Sequence, residues 1–232
     1  RELEASGHRF EDIFRIFSTE FTDTPFSLQF TAGQTQRMSY AELTALTNRL
    51  ARVLHAHFAG QEGAFLAIRM ENSPLWVAAF FGTLMAGFRP LLLNLRLDDA
   101  TLAPVEQLAA GVLTDRPRAG CIDLSAAGDA AGFTPVWADE IALMTSGTTG
   151  TPKGVPCNNV NEVLSAHDAI MHFPLTPSDV TMNMTPWFHR GGLHAGGGAV
   201  AAPVGVDGFG GGTAHVWHSS AVVGNGIRHG PC

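Results

Sequence analysis

The segment from Glu140 to Val155 constrains the fold of this chain more than any other stretch of its sequence. Its first part, EIALM, is a short apolar run that predicts a buried strand, and TSGTTGTPKGV follows at once. Glycines at 147, 150 and 154 allow the backbone to turn its N–H groups towards an anion. Further donors come from hydroxyl and ammonium side chains, namely Thr145, Ser146, Thr148, Thr149, Thr151 and Lys153. The pattern predicts a strand that leads into a phosphate-binding loop over 145–155.

Apolar strand patterns and helical patterns alternate along most of the chain. Strands are predicted at 26–31, 64–70, 89–94, 111–115 and 140–146, and helices at 8–21, from Ser39 to about Gly60, at 74–87, from Asp98 to Gly111, and from Asn159 to about Phe173. This alternation predicts an α/β fold with a mostly parallel sheet flanked by helices. Ligands of such sheets bind at the carboxyl ends of the strands, where the 145–155 loop lies.

Helix starts are marked by capping signals. Ser39 and Glu42 form an S-x-x-E capping box, and Ser73 followed by Pro74 opens the next helix. Asp98 is predicted to cap the helix that ends at Gly111. Asn159 and Glu162 are predicted to cap the helix after the loop.

Charge and composition exclude several classes of function. The formal net charge is −7 and no run of Lys or Arg is present, which argues against nucleic acid as a partner. The longest apolar stretch, Leu75 to Phe88, is shorter than the roughly 20 residues of a membrane-spanning helix, so no transmembrane segment is expected. Three dispersed cysteines (Cys121, Cys157, Cys232) form no disulfide framework, which favours a cytoplasmic protein. The start at Arg1 rather than Met suggests a fragment.

The loop is not a Walker A motif. That motif requires a second Gly before the Lys and a Ser or Thr after it, whereas Pro152 and Gly154 flank Lys153. This difference argues against a P-loop kinase or GTPase. A plain Gly/Thr linker is the alternative, but linkers do not end in Pro-Lys-Gly-Val behind a hydrophobic strand.

TSGTTGTPKGV resembles the phosphate-binding signature of the adenylate-forming (AMP-binding) enzymes, which include acyl-CoA synthetases. The stretches 38–54 and 71–94 are similar to the early helices and strands of that family, and MNMTPWFHRGGL (182–193) resembles its Pro-x-Phe-His segment. The resemblance covers about residues 8–195. It is strongest to the N-terminal part of an acid–CoA ligase, and it implies an incomplete N-terminal domain.

The resemblance implies a two-step reaction. A carboxylic acid attacks Mg²⁺-bound ATP to give an acyl-adenylate, and CoA then displaces AMP. The loop residues that would bind the phosphates are Thr145, Ser146, Gly147, Thr148, Thr149, Gly150, Thr151 and Lys153. Trp187, Phe188 and His189 would line the acid pocket, with His189 as the catalytic candidate that orients the carboxylate.

Other candidate sites carry less weight. Without the resemblance, His189 is an ordinary buried histidine flanked by aromatic residues. His194, His215 and His218 stand without Cys, Asp or Glu at matching spacing, so no metal site is predicted. Cys157 is interpreted as a packing residue.

The later motifs of the family are missing. There is no Tyr-Gly-x-Thr-Glu and no Thr-Gly-Asp, which would bind the nucleoside and Mg²⁺. Residues 196–232 hold 11 glycines and two ionised side chains, Asp207 and Arg228, and are predicted to form a poorly ordered tail behind a partial AMP-binding domain at 1–195. The chain is thus either the N-terminal part of a ligase or a non-catalytic remnant that binds phosphates weakly at most. Little or no activity is expected of it alone.

Overall fold

The computed structural model describes residues 7–31, 34–145, 152–172, 180–181, 185–190, 193 and 213–218. The helices are α1 (Phe10–Glu20), α2 (Tyr40–His57), α3 (Pro74–Met85), α4 (Asp99–Glu106) and α5 (Asn159–His172), with one 3-10 turn at Leu124–Ala126. The strands are β1 (Pro25–Thr31), β2 (Gln34–Ser39), β3 (Phe65–Arg69), β4 (Arg89–Leu92), β5 (Gly111–Thr114), β6 (Ile122–Asp123), β7 (Glu140–Thr145), β8 (Lys153–Asn158), β9 (Val180–Thr181) and β10 (Thr213–His218).

The central sheet has six strands in the order β6-β5-β3-β4-β7-β8. The first five are mutually parallel, and only the edge strand β8 runs antiparallel to its neighbour β7. The predicted α/β fold with a mostly parallel sheet flanked by helices is confirmed. The carboxyl ends of β3, β4, β5 and β7 therefore meet at one edge of the sheet.

Side chains of the parallel strands alternate between two apolar cores. Leu66 and Ile68 of β3 pack with α1, α2 and α3 on one face, which we call the three-helix face. Ala67, between them, packs with Leu102 and Val105 of α4 on the opposite face. A central parallel strand is buried on both sides, which explains the continuous apolar runs in the sequence.

Capping signals placed the starts of three helices correctly. The Ser39 hydroxyl accepts a hydrogen bond from the Glu42 N–H (3.2 Å), and the Glu42 carboxylate accepts one from the Ser39 N–H (2.7 Å), as the capping box predicts. Ser73 caps α3 and Asp98 caps α4 in the same manner. Gly87, just past α3, has a φ of 86°, a left-handed conformation that favours glycine.

A second, antiparallel sheet has the order β2-β1-β10-β9. The hairpin of β1 and β2 agrees with the predicted turn near Gly33, although Gly33 itself lies outside the described residues. Within the glycine-rich region 196–232, the structure describes only β10, which pairs with β1 from Ser27 to Thr31. The alternation of helices and strands did not predict that these strands leave the main sheet.

Two sequence predictions near the central sheet were wrong. The helix predicted from Asp98 to Gly111 ends at Glu106, because Gly111 opens β5 opposite Leu66 and the chain needs the intervening residues to reach the sheet. The end of the predicted loop is a strand instead, since Lys153–Asn158 pairs with β7. Pro156 is tolerated there because an edge strand has one side without ladder hydrogen bonds.

Within the described ranges, no helix combines the length and apolarity that crossing a membrane requires.

Candidate functional site

The ends of the phosphate-loop motif meet across the β7–β8 hairpin. Thr145, the last residue of β7, is the Cα partner of Lys153, the first residue of β8, and both are exposed. Ser146, Gly147, Thr148, Thr149, Gly150 and Thr151 lie outside the described residues. The hairpin thus brings a hydroxyl and an ammonium group to the carboxyl end of β7, as the sequence predicted.

These two side chains project from the three-helix face. Residues directly opposite in an antiparallel pair share a face, and so do residues two apart along a strand. Thr145 and Lys153 therefore lie on the same face as Leu143 and Ile141. Trp187 and Phe188 are buried in the same core cluster as those two residues. The two halves of the predicted site thus lie on one side of the sheet.

The segment 185–190 presents one accessible and two buried aromatic residues. Trp187 is 2% exposed and packs edge-to-face on Trp76 of α3, with 5.4 Å between ring centroids. Phe188 is 5% exposed and lies 4.7 Å from the ring of His189, which is exposed. The His189 imidazole is therefore accessible to a ligand, while Trp187 and Phe188 support it from the core.

Asn72 ties this segment to the edge of the sheet. Its amide nitrogen donates to the Thr185 carbonyl (3.1 Å), and its side-chain oxygen accepts from the Trp187 N–H (3.0 Å). Asn72 lies in the loop between β3 and α3, at the carboxyl end of a central strand. Its position before the Ser73–Pro74 helix start places it at the ligand-binding edge, but no motif of the sequence marks it.

A buried carboxylate anchors the other end of the segment. Glu162 of α5 is 2% exposed, and its Oε1 lies 3.2 Å from a guanidinium nitrogen of Arg190. The predicted cap of α5 by Asn159 and Glu162 is not the one observed: the Asn158 side chain accepts from the Val160 N–H (2.8 Å), and the Asn159 N–H donates to the Asp139 carbonyl (2.9 Å). Burial, together with the nearby charge of Glu162, raises the pKa of Cys157, which agrees with a packing residue rather than a nucleophile.

The described residues do not form a metal centre. Among them, no group of three or more His, Cys, Asp or Glu side chains could hold a metal ion. His194 lies outside the described residues, and His215 and His218 lie on β10. Thr145 and Lys153 suit the outer phosphates of a nucleotide.

Parts of this chain are similar to known proteins. Residues 17–110 match the family model of the AMP-binding enzymes. Residues 17–110 are therefore identified as part of an AMP-binding enzyme domain. A 2-succinylbenzoate–CoA ligase of Bacillus subtilis is 29% identical over 183 residues, which is 69% of this chain. A pyochelin synthetase of Pseudomonas aeruginosa is 38% identical over 131 residues, 50% of this chain and 7% of its own length.

Solved structures of AMP-binding enzymes share the fold. An O-succinylbenzoate–coenzyme A synthetase of Bacillus subtilis, solved in complex with ATP and a magnesium ion, superimposes with a TM-score of 0.68 at 24% identity. The match covers 81% of this chain and 54% of that structure. The alignment with the Bacillus subtilis ligase covers only 36% of the length of that ligase. The chain therefore spans a little over a third of that relative.

Proposed function

We propose that this chain is the phosphate- and acid-binding part of an AMP-forming acid–CoA ligase. The observation that carries the proposal is the placement of Thr145 and Lys153 on the same face of the sheet as the segment with His189. An ATP-dependent ligase must hold a polyphosphate and a carboxylate side by side. Similarity to a CoA ligase and to an ATP-bound synthetase supports the same activity.

The chemistry follows from charge. A carboxylate oxygen of the acid substrate attacks the α-phosphorus of ATP. A bond forms between that oxygen and the α-phosphorus, and the bond from the α-phosphorus to pyrophosphate breaks. Negative charge moves onto the leaving phosphates, where the Lys153 ammonium and the hydroxyl groups of the loop would stabilise it. The His189 imidazole would orient the carboxylate, and the thiol of CoA would displace AMP in the second step. Positioning and electrostatics, rather than covalent catalysis, are the protein's contribution.

Binding of ATP can be tested at one atom, because Lys153 is the only lysine of the chain. Amine-specific labelling followed by mass spectrometry reports on Lys153, with the N-terminal amine as an internal reference. We expect ATP to protect Lys153 strongly and AMP to protect it little, since the contact is with the outer phosphates. Equal labelling with and without ATP would contradict the proposal.

The reaction class is tested by acid-dependent release of AMP and pyrophosphate from ATP. Carboxylic acids such as 2-succinylbenzoate and benzoate serve as probes, and Lys153→Ala is compared with Arg37→Ala. Arg37 is exposed on β2 and also carries one positive charge, so it controls for net charge. We expect any AMP release to fall at least about tenfold in Lys153→Ala, the loss of one charge-assisted hydrogen bond, and to persist in Arg37→Ala.

Two further outcomes would assign a different function. Protection of Lys153 without any release of AMP supports the alternative of a non-catalytic remnant that binds phosphates. Acyl-adenylate formed without transfer to CoA would favour an adenylation function, which the 38% identity to pyochelin synthetase makes the second candidate.

A further inference from the structure

The Asn72 side chain makes two long-range contacts at the candidate site. It reaches residues 113 and 115 positions further along the chain, Thr185 and Trp187. A side-chain amide donates through its nitrogen and accepts through its oxygen, so it can bond a carbonyl and an N–H at the same time. Asn72 therefore forms with the segment 185–187 one donated and one accepted hydrogen bond, as a neighbouring strand would.

These bonds hold a segment in which one residue has no backbone N–H to donate. Pro186, between the two contacted residues, has no N–H, so the segment cannot form a regular ladder there. The structure closes the following turn by a hydrogen bond from the His189 N–H to the Pro186 carbonyl (3.1 Å). Asn72 thus fixes the start of the turn that ends at the exposed His189.

We propose that Asn72 is a positioning residue for the acid-binding site, which acts by fixing the turn that carries His189. The proposal rests on the proposed function, because it assigns the fixed turn to carboxylate binding. Asn72 does not contact the reacting atoms in this assignment. Its bond to the Trp187 N–H fixes where Trp187 packs against Trp76. Through the turn, it fixes the position of the His189 imidazole.

Three variants of the full 232-residue chain separate positioning from general stability. Asn72→Ala removes both bonds, and Asn72→Asp keeps the oxygen that accepts from the Trp187 N–H but loses the donor. Asn94→Ala is the matched control. Asn94 lies just after β4 at the same edge of the sheet, and its side chain accepts a hydrogen bond from Arg96 in its own loop (3.0 Å).

Hydrogen exchange of the Trp187 amide, measured by NMR, reports how firmly Asn72 holds the segment 185–187. In Asn72→Ala we expect the Trp187 amide to exchange at least about tenfold faster, since each hydrogen bond contributes roughly 1 kcal/mol and 1.4 kcal/mol is a factor of ten. In Asn72→Asp the change should stay below about threefold, because the acceptor remains. Asn94→Ala should match the native chain. If Asn72→Ala does not fold, the test rests on the acid response of Asn72→Asp, which should still be weaker than that of the native chain.

The His189 imidazole resonance reports the link to acid binding. With ATP present, 2-succinylbenzoate should shift this resonance in the native chain and in Asn94→Ala. We expect the half-saturating concentration of the acid to rise at least about tenfold in Asn72→Ala, which corresponds to the loss of the ordered turn, and to recover partly in Asn72→Asp.

The outcomes distinguish the positioning role of Asn72 from the proposed function. Faster exchange at Trp187 with an unchanged acid response would overturn the positioning role and leave the proposed function intact. Unchanged exchange in Asn72→Ala would overturn the anchoring itself. If no carboxylic acid shifts His189 in the native chain, the proposed function fails, and the positioning role fails with it.

Discussion

A guanidinium nitrogen of Arg190 lies 3.2 Å from Oε1 of Glu162, a carboxylate that is only 2% exposed. Glu162 belongs to α5, the helix that follows the phosphate-loop hairpin, and Arg190 follows His189. The ion pair therefore connects the two halves of the candidate site. Removing one partner of such a pair lowers the free energy of unfolding by more than the intact pair contributes, because the remaining buried charge loses its counter-ion.

Arg190→Ala should destabilise the chain by about 2 kcal/mol, less than for a fully buried pair because the Arg190 side chain is 57% exposed. Glu162→Gln replaces the buried charge by a neutral group of similar shape. The double variant should then be more stable than Arg190→Ala alone, and urea unfolding of all four proteins gives the coupling energy. Additive losses would show that the pair does not couple the two elements.

Gly111→Ala tests the packing at the start of β5. A Cβ at this position would lie 2.5 Å from the tip of the Phe58 ring, which is 4% exposed and packs 5.8 Å from the Phe88 ring. We expect a loss of about 1–3 kcal/mol in the free energy of unfolding, because the ring cannot move without disturbing the core. The measurement is chemical denaturation.

Two companion variants check the cause of that loss. Gly128→Ala introduces a Cβ with no atom within 4 Å and should be nearly neutral. Phe58→Leu should rescue part of the loss in the background of Gly111→Ala. A neutral Gly111→Ala would mean that the ring of Phe58 yields freely.

The same glycine shows where sequence reasoning ends. Helical spacing and the Asp98 cap predicted where α4 begins, because both signals are local. Its end was misplaced at Gly111, since the residue that opens β5 is fixed by pairing with β3, which lies over 40 residues earlier. Local patterns thus determined the starts of elements, and tertiary pairing determined some of their ends.

The residues of the candidate site also divide into those that local sequence patterns indicate and those that only the fold reveals. The glycine and hydroxyl pattern led to Thr145 and Lys153, and the resemblance led to His189, because these residues stand in contiguous motifs. No pattern marked Asn72 or Glu162 as site residues, because their partners lie on distant parts of the chain. Glu162 had the spacing of a helix cap, and only the fold shows that its side chain turns inward.

The ion-pair cluster at the carboxyl end of β3 should give the chain an acid-sensitive component of stability. Asp99 pairs with Arg69 and Arg118, and these guanidinium groups hold the pKa of its carboxyl group below the ordinary value of 3.8. A lowered folded pKa contributes stability that is present above the unfolded pKa and is lost as the pH falls through the folded value. The window therefore lies below about pH 4.

Asp99→Asn should be less stable than the native chain at neutral pH, and its melting temperature should fall less steeply between about pH 4 and about pH 2. Thermal unfolding followed by circular dichroism across this range is the measurement. Asp23→Asn, at an exposed carboxyl group in the turn between α1 and β1, serves as the control and should keep the native slope. Parallel slopes for Asp99→Asn and the native chain would exclude this contribution.

Cys157 offers a chemical probe of the region next to the phosphate loop. Burial raises its pKa most, and the charge of Glu162 raises it further, so the reactive thiolate is scarce at pH 8. Iodoacetamide should therefore modify Cys157 more slowly in the folded chain than in the chain unfolded by urea. Glu162→Gln should speed up the reaction, because the neutral amide no longer opposes the thiolate. Peptide mass spectrometry separates this site from the other cysteines.

Cys121 provides the internal control for this experiment. Burial also raises its pKa, but the nearby carboxylate there is Glu106, on the opposite side of the sheet from α5. Its modification should be slow in both proteins and unaffected by Glu162→Gln. An equal acceleration at both cysteines would indicate general loosening of the fold, whereas acceleration at Cys157 alone identifies Glu162 as the charge that controls this thiol.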